Sequence, residues 1–570
     1  MHRPYLKSSL SSARLFFLLL FGWFLLNIMQ AIFTEIGNDE AYYWLYSQNL
    51  AWGYYDHPPF VALVVKAGTL LFGDTVLGVR FFVMLAQVFF LFLLYGLTQT
   101  KGNKENVLIF FIVSFSVVMM QIYGFVATPD VPLLLFTVLF LLAYKYFVET
   151  NYSWEGALFL ALCMAGLMYS KYHGAFVIIF VVLSNVKLLM KPSFYISVLL
   201  SVSLYLPHIF WQVNNDFPSL KYHLVERSKQ FQWIFFLDYL VNQLPVFNPF
   251  TLGAGMYVLF RRNKKDYFEK ALRFLFAGFL IFFFFWNFKG RVEPHWTIVA
   301  AVPMIILIAR EAAENPKLKR YVFRVIAPSL ALILVARIFM IVDVLPVKTE
   351  WHGDKNRVSE LKEVAQGRPV VFLEGFQMPS KYRFYAQSEA HGMGVLSYRN
   401  TQYDIWNFDE NYRGQPVLIE VGGDPSVTAA TLPATAGFRL YEVASYQPYK
   451  KLIVTPSLSA HTFKIGEELT IATTVQNPYP APYIINHSAM PLEIYLVCFG
   501  EENGKITRRV VQAKSRFSQE KIESNGTVSG EINFTVPAFP EGEYHVFFAA
   551  GTPGLFPASL QKPLKIDFVP

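Results

Sequence analysis

"GNDEAYYWLYSQNLAWGYYDHPPF", residues 37–60, lies between two apolar runs and carries Asp39, Glu40, Asp56 and His57 among tyrosines and tryptophans. The run before it, residues 15–33, follows Arg3, Lys7 and Arg14. It is too long for the apolar core of a signal peptide, and no small-residue cleavage pattern follows. It therefore reads as an uncleaved first membrane helix. The question is why a chain of this kind places two acidic clusters and a His-Pro-Pro turn beside its first span.

Working outward, apolar runs recur that suit a hydrocarbon core of about 30 Å. They fall at 15–33, 76–97, 106–125, 131–148, 155–170, 173–190, 194–211, 235–260, 271–287, 296–309 and 321–343. This predicts a polytopic α-helical membrane protein with about eleven spans. The chain is 54% hydrophobic and only 16% charged, against roughly 25% in soluble domains. Its net charge of +8 is explained by topology, because Lys and Arg gather in cytoplasmic loops. No basic soluble domain interleaved with aromatics is present, so no nucleic-acid partner is expected.

With the N-terminus inside, the basic loops at Lys101/Lys104, Lys145, Lys187/Lys191, 261–270 and 310–320 all fall on the inner face. Residues 37–60, Asp130, the Lys171–His173 turn, 212–233 and 287–295 then fall on the outer face, as does everything after residue 345. The expected location is the bacterial inner membrane, multi-pass, with an extracytoplasmic C-terminal region.

After residue 345 the texture changes. Residues 346–450 predict a small α/β domain, with a helix near 358–365 and short apolar strands in "RPVVFLEG" and "QPVLIEV". Residues 451–570 alternate apolar and polar positions between turn residues, which predicts an immunoglobulin-like β-sandwich. The two cysteines, Cys163 and Cys498, lie far apart and form no disulfide framework or C-x-x-C site.

Five constellations carry chemistry. Asp39-Glu40 and Asp56-His57 flank an aromatic segment suited to the bilayer interface. Gly53 and Pro58-Pro59 bend that segment, so both acidic clusters can return to one outer cavity. Asp130, in "VATPDVPLLLF", sits between two prolines at a helix start, where a bland reading is a cap. Lys171 and His173, in "GLMYSKYHGAF", lie on the same face, where Lys171 can simply snorkel to headgroups. "NFKGRVEPHWT" packs Lys289, Arg291, Glu293 and His295 into one short loop. "WQVNNDFPSLKYHLVERSKQ" carries His223 and Arg227 and reads equally as a mobile cover or a solvated loop.

Singly each is weak. Together they place acids, cations and histidines on one membrane face. A carboxylate there can act as general base toward a hydroxyl, and cations can stabilise a departing phosphate. A transporter or lipid-linked sugar flippase is the alternative. It would place ionisable groups mid-span and repeat them in two halves, and neither feature is present.

"NDEAYYWLYSQNLAWGYYDHPPF", "TPDVPLLLF" and "GRVEPHWT", in this order, resemble the bacterial glycosyltransferases related to protein O-mannosyltransferases and lipid A aminoarabinose transferases. The resemblance covers about residues 10–345, with a looser likeness at "SYRNTQYDIWN", 397–407. It implies a GT-C fold over residues 1–345 and a polyprenyl-phosphate-linked sugar donor. It also implies inverting transfer to a lipid, glycan or protein hydroxyl. On it, Asp39, Glu40 and Asp130 are the catalytic carboxylates. The relatives carry Glu-Lys before the Pro-Pro, where this chain has Asp56-His57. A neutral His is a poorer anion partner than Lys, so the candidates for donor phosphate binding are His57 and, in its place, Lys171, Lys289 or Arg291. Asp56, His173, Arg227, Glu293 and His295 shape the acceptor side. Asp56 beside His57 is also a candidate ligand for a divalent metal.

Overall fold

The computed structural model describes residues 3–100, 102–227, 231–261, 266–344, 349–373, 375–394, 396, 399–422, 437–502 and 505–570. The expected domain boundary at 345/346, Ser397-Tyr398 of the later motif, and 262–265 of one basic loop lie outside the described residues. The chain divides into two compact units, Met1–His352 and Gly353–Pro570.

The first unit is helical. Six helices are long and apolar enough to cross a membrane: Ser11–Phe33, Val76–Thr98, Asp130–Glu149, Pro192–Asn214, Pro294–Glu314 and Pro316–Ile341. This is a multi-pass membrane protein.

Several expected spans are interrupted. The run 235–260 is two helices, Ile234–Phe247 and Pro249–Phe260, broken at Asn248 with φ +66°. A proline disfavours helical backbone in the residue before it. Asn248 then caps the second helix, accepting from the Phe250 N–H at 3.0 Å. The run 106–125 breaks at Val117 into Lys104–Ser116 and Val118–Ile122, and 173–190 is Gly174–Ser184 followed by a 3-10 turn, Val186–Met190.

The decisive stretch contains more order than the sequence predicts. Residues 38–48 form a helix, Asn38–Gln48, and Phe60–Phe72 forms another. At 1.5 Å per residue the second is about 20 Å long, short of the roughly 30 Å core. Most of the aromatics pack inside the protein, with Trp52 exposed. Tyr42, Tyr43, Trp44, Tyr46, Tyr54 and Tyr55 are all buried, and the Tyr46 and Tyr54 rings stack at 3.9 Å. They are the packing that folds the stretch back on itself. The Tyr54 hydroxyl donates to the Tyr46 carbonyl at 3.0 Å. Gly53 is required where the loop passes His208 and Trp211, since a Cβ would meet their rings at 2.8 and 2.5 Å.

In the second unit, the strands Ala390–Gly392, Val370–Phe372 and Val417–Glu420 run parallel, with Leu440–Val443 antiparallel at one edge. One face of this sheet packs Val370, Phe372 and Leu418 against Val358, Leu361 and Tyr382 of the helices Asp354–Ala365 and Gln377–Ala386. The other face, with Val371 and Ile419, joins the core of the β-rich part.

There the strand order is Ile453–Pro456, Glu468–Gln476, Thr527–Thr535, Lys505–Phe517, Glu493–Glu502, Gly542–Gly551, Leu564–Val569, Thr462–Lys464. Lys505–Phe517 belongs to both layers. Its first part pairs with Glu493–Glu502 and its last four residues with Thr527–Thr535. Inward residues from both layers, such as Ile471 and Ile532 on one and Leu496 and Val546 on the other, share a core. That is the sandwich the alternation predicts.

Candidate active site

The helix Asn38–Gln48 opens with Asp39 and Glu40 in its first turn, where the helix dipole favours negative charge. Their environments diverge completely. Glu40 is 1% exposed and Arg80 0%, and the two meet in a fork: Arg80 Nε donates to Glu40 Oε1 at 2.8 Å and Nη2 to Oε2 at 2.5 Å. Glu40 also accepts the Gly37 N–H at 2.8 Å and the Ala127 N–H at 2.8 Å. Arg80 donates onward to the carbonyls of Ala31, Thr34 and Glu35 and to Thr34 Oγ1. This fork ties the first span, the start of the helix Val76–Thr98 and the segment leading to Asp130. Asp39, one residue earlier, is exposed.

Arg80 went unnoticed in the sequence. Its one trace there is a lone arginine opening an apolar helix, which by its cost asks for a partner.

Asp130 begins the helix Asp130–Glu149 and is 3% exposed. Lys171 Nζ donates to both its oxygens, at 2.8 and 2.9 Å. The Tyr123 hydroxyl donates to Asp130 Oδ2 at 3.2 Å, and the charge of Asp39 also acts on that hydroxyl. Tyr123 thus lies between Asp130, which it contacts, and Asp39, whose charge reaches it. His57 in turn feels both Asp130 and Lys171.

Asp56 is held by the Tyr46 hydroxyl, which donates to Oδ1 at 2.5 Å, while His223 Nε2 lies 3.0 Å from the Asp56 carbonyl. Burial pushes the His57 imidazole down to about 3 and that of His223 down to about 4, so both are neutral at ordinary pH. His173 packs against Phe283 and Trp296 at 5.2 Å each. It lies within electrostatic reach of Lys171, His223, His295 and His57.

Arg227 donates to Glu293 Oε1 at 2.7 Å and its guanidinium sits 4.7 Å from the Trp296 ring centre. This joins the 212–233 and 287–295 segments. Lys289 and Arg291 are exposed. Lys289 lies over Trp286 at 5.1 Å, and Arg291 is 3.9 Å from Asp238.

The donor set at Asp56 does not fit a divalent cation. Among the described residues no three His, Cys, Asp or Glu groups converge in a way that holds a metal ion, and Asp56 Oδ1 is taken by Tyr46.

Comparison with known proteins agrees with this architecture. Residues 56–211 match the family model described as dolichyl-phosphate-mannose-protein mannosyltransferase. The chain is 24% identical over 309 residues to the lipid A galacturonosyltransferase RgtD of Rhizobium johnstonii, covering 51% of this chain and 64% of that protein's length. The crystal structure of ArnT from Cupriavidus metallidurans in the apo state superposes with a TM-score of 0.54 at 12% identity, covering 75% of this chain and 98% of ArnT. The form of ArnT bound to undecaprenyl phosphate gives a TM-score of 0.51 at 12% identity, covering 75% and 97%. The chain thus has the GT-C fold of ArnT and is similar in sequence to known glycosyltransferases over part of its length.

Proposed function

We propose that this chain is an inverting glycosyltransferase. It moves a sugar from a polyprenyl-phosphate donor to a hydroxyl of a lipid, glycan or protein on the extracytoplasmic face of the bacterial inner membrane. One observation carries the reading. Of the three carboxylates gathered by the 37–40 and 127–130 segments, Glu40 and Asp130 are each buried against a cation, and Asp39 alone is exposed. A carboxylate open to an incoming hydroxyl can accept its proton as general base.

In this reading Asp39 takes the acceptor hydroxyl's proton as the oxygen attacks the anomeric carbon. Glu40, through Arg80, fixes the helix turn that presents Asp39. Asp130, through Tyr123 and Lys171, sets the distance between acceptor and donor. The 287–295 loop brings Lys289 and Arg291 toward the leaving phosphate as point charge and fork. Asp56, Arg227, Glu293 and His295 wall the cavity. The domains are a GT-C catalytic domain (1–345), an extracytoplasmic α/β domain (346–450) and a sandwich (451–570). The sequence similarity to RgtD and the fold shared with ArnT bound to undecaprenyl phosphate support the donor class.

The test uses the full-length protein in proteoliposomes with labelled polyprenyl-phosphate sugars and extracted envelope acceptors. Transfer by the wild type and its loss in Asp39→Asn is the expected result. Label that crosses the bilayer without being transferred would replace the reading with a flippase.

A further inference from the structure

The helix that presents Asp39 starts without a side-chain cap of its own. Its N-cap is Gly37, which has nothing to offer the first backbone N–H groups. Two carboxylates serve them instead. Glu40 turns back to accept the Gly37 N–H at 2.8 Å. Glu350 accepts the Asn38 N–H at 2.9 Å, from 312 positions further along the chain. A carboxylate placed there gains from the helix dipole as well as from a charge-assisted hydrogen bond.

Glycine stands at position 37 for room, not for backbone freedom. Its φ of −69° and ψ of 161° are open to any residue. A Cβ there would meet Glu40 Oε2 at 3.2 Å, Glu350 Oε2 at 3.5 Å and Trp351 Nε1 at 3.6 Å. A serine or aspartate, the usual local cap, would push into these groups. The turn is therefore closed by a segment that follows the last span and that none of the sequence motifs includes.

That segment is tied down at both ends. Thr349 Oγ1 lies 2.7 Å from His352 Nδ1, which closes residues 349–352 into a turn. His352 Nδ1 also lies 3.9 Å from Asp343, just beyond the helix Pro316–Ile341. Residues 349–352 belong to the membrane unit, which ends at His352.

We infer that Glu350 is a positioning residue for transfer: by holding the first turn of the helix Asn38–Gln48, it aims the Asp39 carboxylate at the acceptor hydroxyl. The inference rests on the reading of Asp39 as general base and adds a residue that acts through it. Arg80 holds the turn from the bundle side, through Glu40. Glu350 holds the backbone one residue before Asp39. Without it the Asn38 N–H loses this acceptor and the turn can fray. A general base must come within about 2.6–3.2 Å of the oxygen whose proton it takes. A misplacement of about 1 Å can cost on the order of 10²-fold in rate.

The experiment measures initial rates of full-length protein in proteoliposomes, with labelled polyprenyl-phosphate sugar and extracted envelope acceptors. Glu350→Ala should lower kcat by about 10- to 10²-fold and leave the donor KM unchanged. Glu350→Gln keeps an acceptor oxygen for the Asn38 N–H and should recover most of the loss. Glu350→Asp keeps the charge but falls one methylene short. It should lower kcat less than Glu350→Ala, which tests the placement in a variant that disturbs the fold least. The decisive comparison adds Glu350→Ala to Asp39→Asn. A residue acting through Asp39 costs nothing further once the base is gone. A merely structural role would cost the same fold in both backgrounds, and that result overturns the inference. So does wild-type kcat in Glu350→Ala. Both leave the base reading standing. Near-normal turnover in Asp39→Asn alone defeats the base reading and this inference with it.

Discussion

Two buried ion pairs of the membrane unit look equivalent in outline and differ in their surroundings. Around Glu40–Arg80 the polar atoms are closed off: the carboxylate accepts two backbone N–H groups besides the arginine, and the arginine is spent on three carbonyls and a hydroxyl. Around Asp130–Lys171 they are not: His57 and His173 stand nearby with unmet ring nitrogens. The first region is a brace and the second is where we propose the site. Burial and pairing alone do not separate the two; unmet hydrogen bonding does. Asp39 sits one residue from the brace and electrostatically within reach of the site, through Tyr123. The catalytic role we propose for it depends on both.

The strongest way to break the comparison is at Asp39. Asp39→Asn keeps the shape and removes the base. Transfer should fall by about 10²- to 10⁴-fold, the usual worth of general base catalysis, with folded yield unchanged. The check is kcat of purified protein alongside its thermal unfolding in the same detergent. Near-normal turnover would put the base elsewhere.

Next comes the brace. Arg80→Met leaves Glu40 buried without a counter-charge. Removing one partner of a buried pair costs about 3–5 kcal/mol. The expected outcome is a sharp loss of folded protein, read by size-exclusion yield and thermal unfolding. If Arg80→Met were stable and merely inactive, Arg80 would belong to the site after all.

A smaller, graded effect concerns pH. His57 and His223 are neutral when folded, pushed down to about 3 and about 4 by burial, against 6.5 when free. Between those values the unfolded chain binds more protons than the folded one, so stability falls as pH falls. It is full above about 6.5 and declines progressively toward 4 and then 3. Unfolding temperatures across that range should show the decline, and His57→Gln should flatten part of it. A flat wild-type profile would mean these rings are not buried neutral.

What the sequence disclosed follows from the range over which each feature is determined. The long apolar helices and the sandwich strands are set by local pattern and were legible, as were the acids of residues 39–56 as a cluster of interest. Asp130 and Lys171 were each singled out, but their ion pair spans 41 positions and depends on how the helices pack. The same holds for Glu40, legible as an acid and illegible as a brace, because its partner lies 40 positions away. The tyrosines of residues 42–55 misled for a related reason. A ring with a hydroxyl suits a bilayer surface and a packed core equally, and only the fold-back of the loop decides. The breaks at Val117 and Asn248 were hidden inside continuous apolar runs.

The finest test of the comparison lies between brace and site, at Tyr46. Its ring stacks on Tyr54 and its hydroxyl donates to Asp56 at 2.5 Å. Tyr46→Phe keeps the stack and deletes the donor. A hydrogen bond to a charged group contributes about 1.5–3 kcal/mol, but other contacts also hold Asp56, so a loss near the lower end is expected in thermal unfolding. If Asp56 belongs with the site, the deletion should also raise KM for the donor by a few-fold, because Asp56 and the neighbouring His57 share a backbone turn. If Asp56 belongs with the brace, unfolding should shift while KM stays fixed. The split between those two readouts assigns the second acidic cluster of the opening loop to one region or the other.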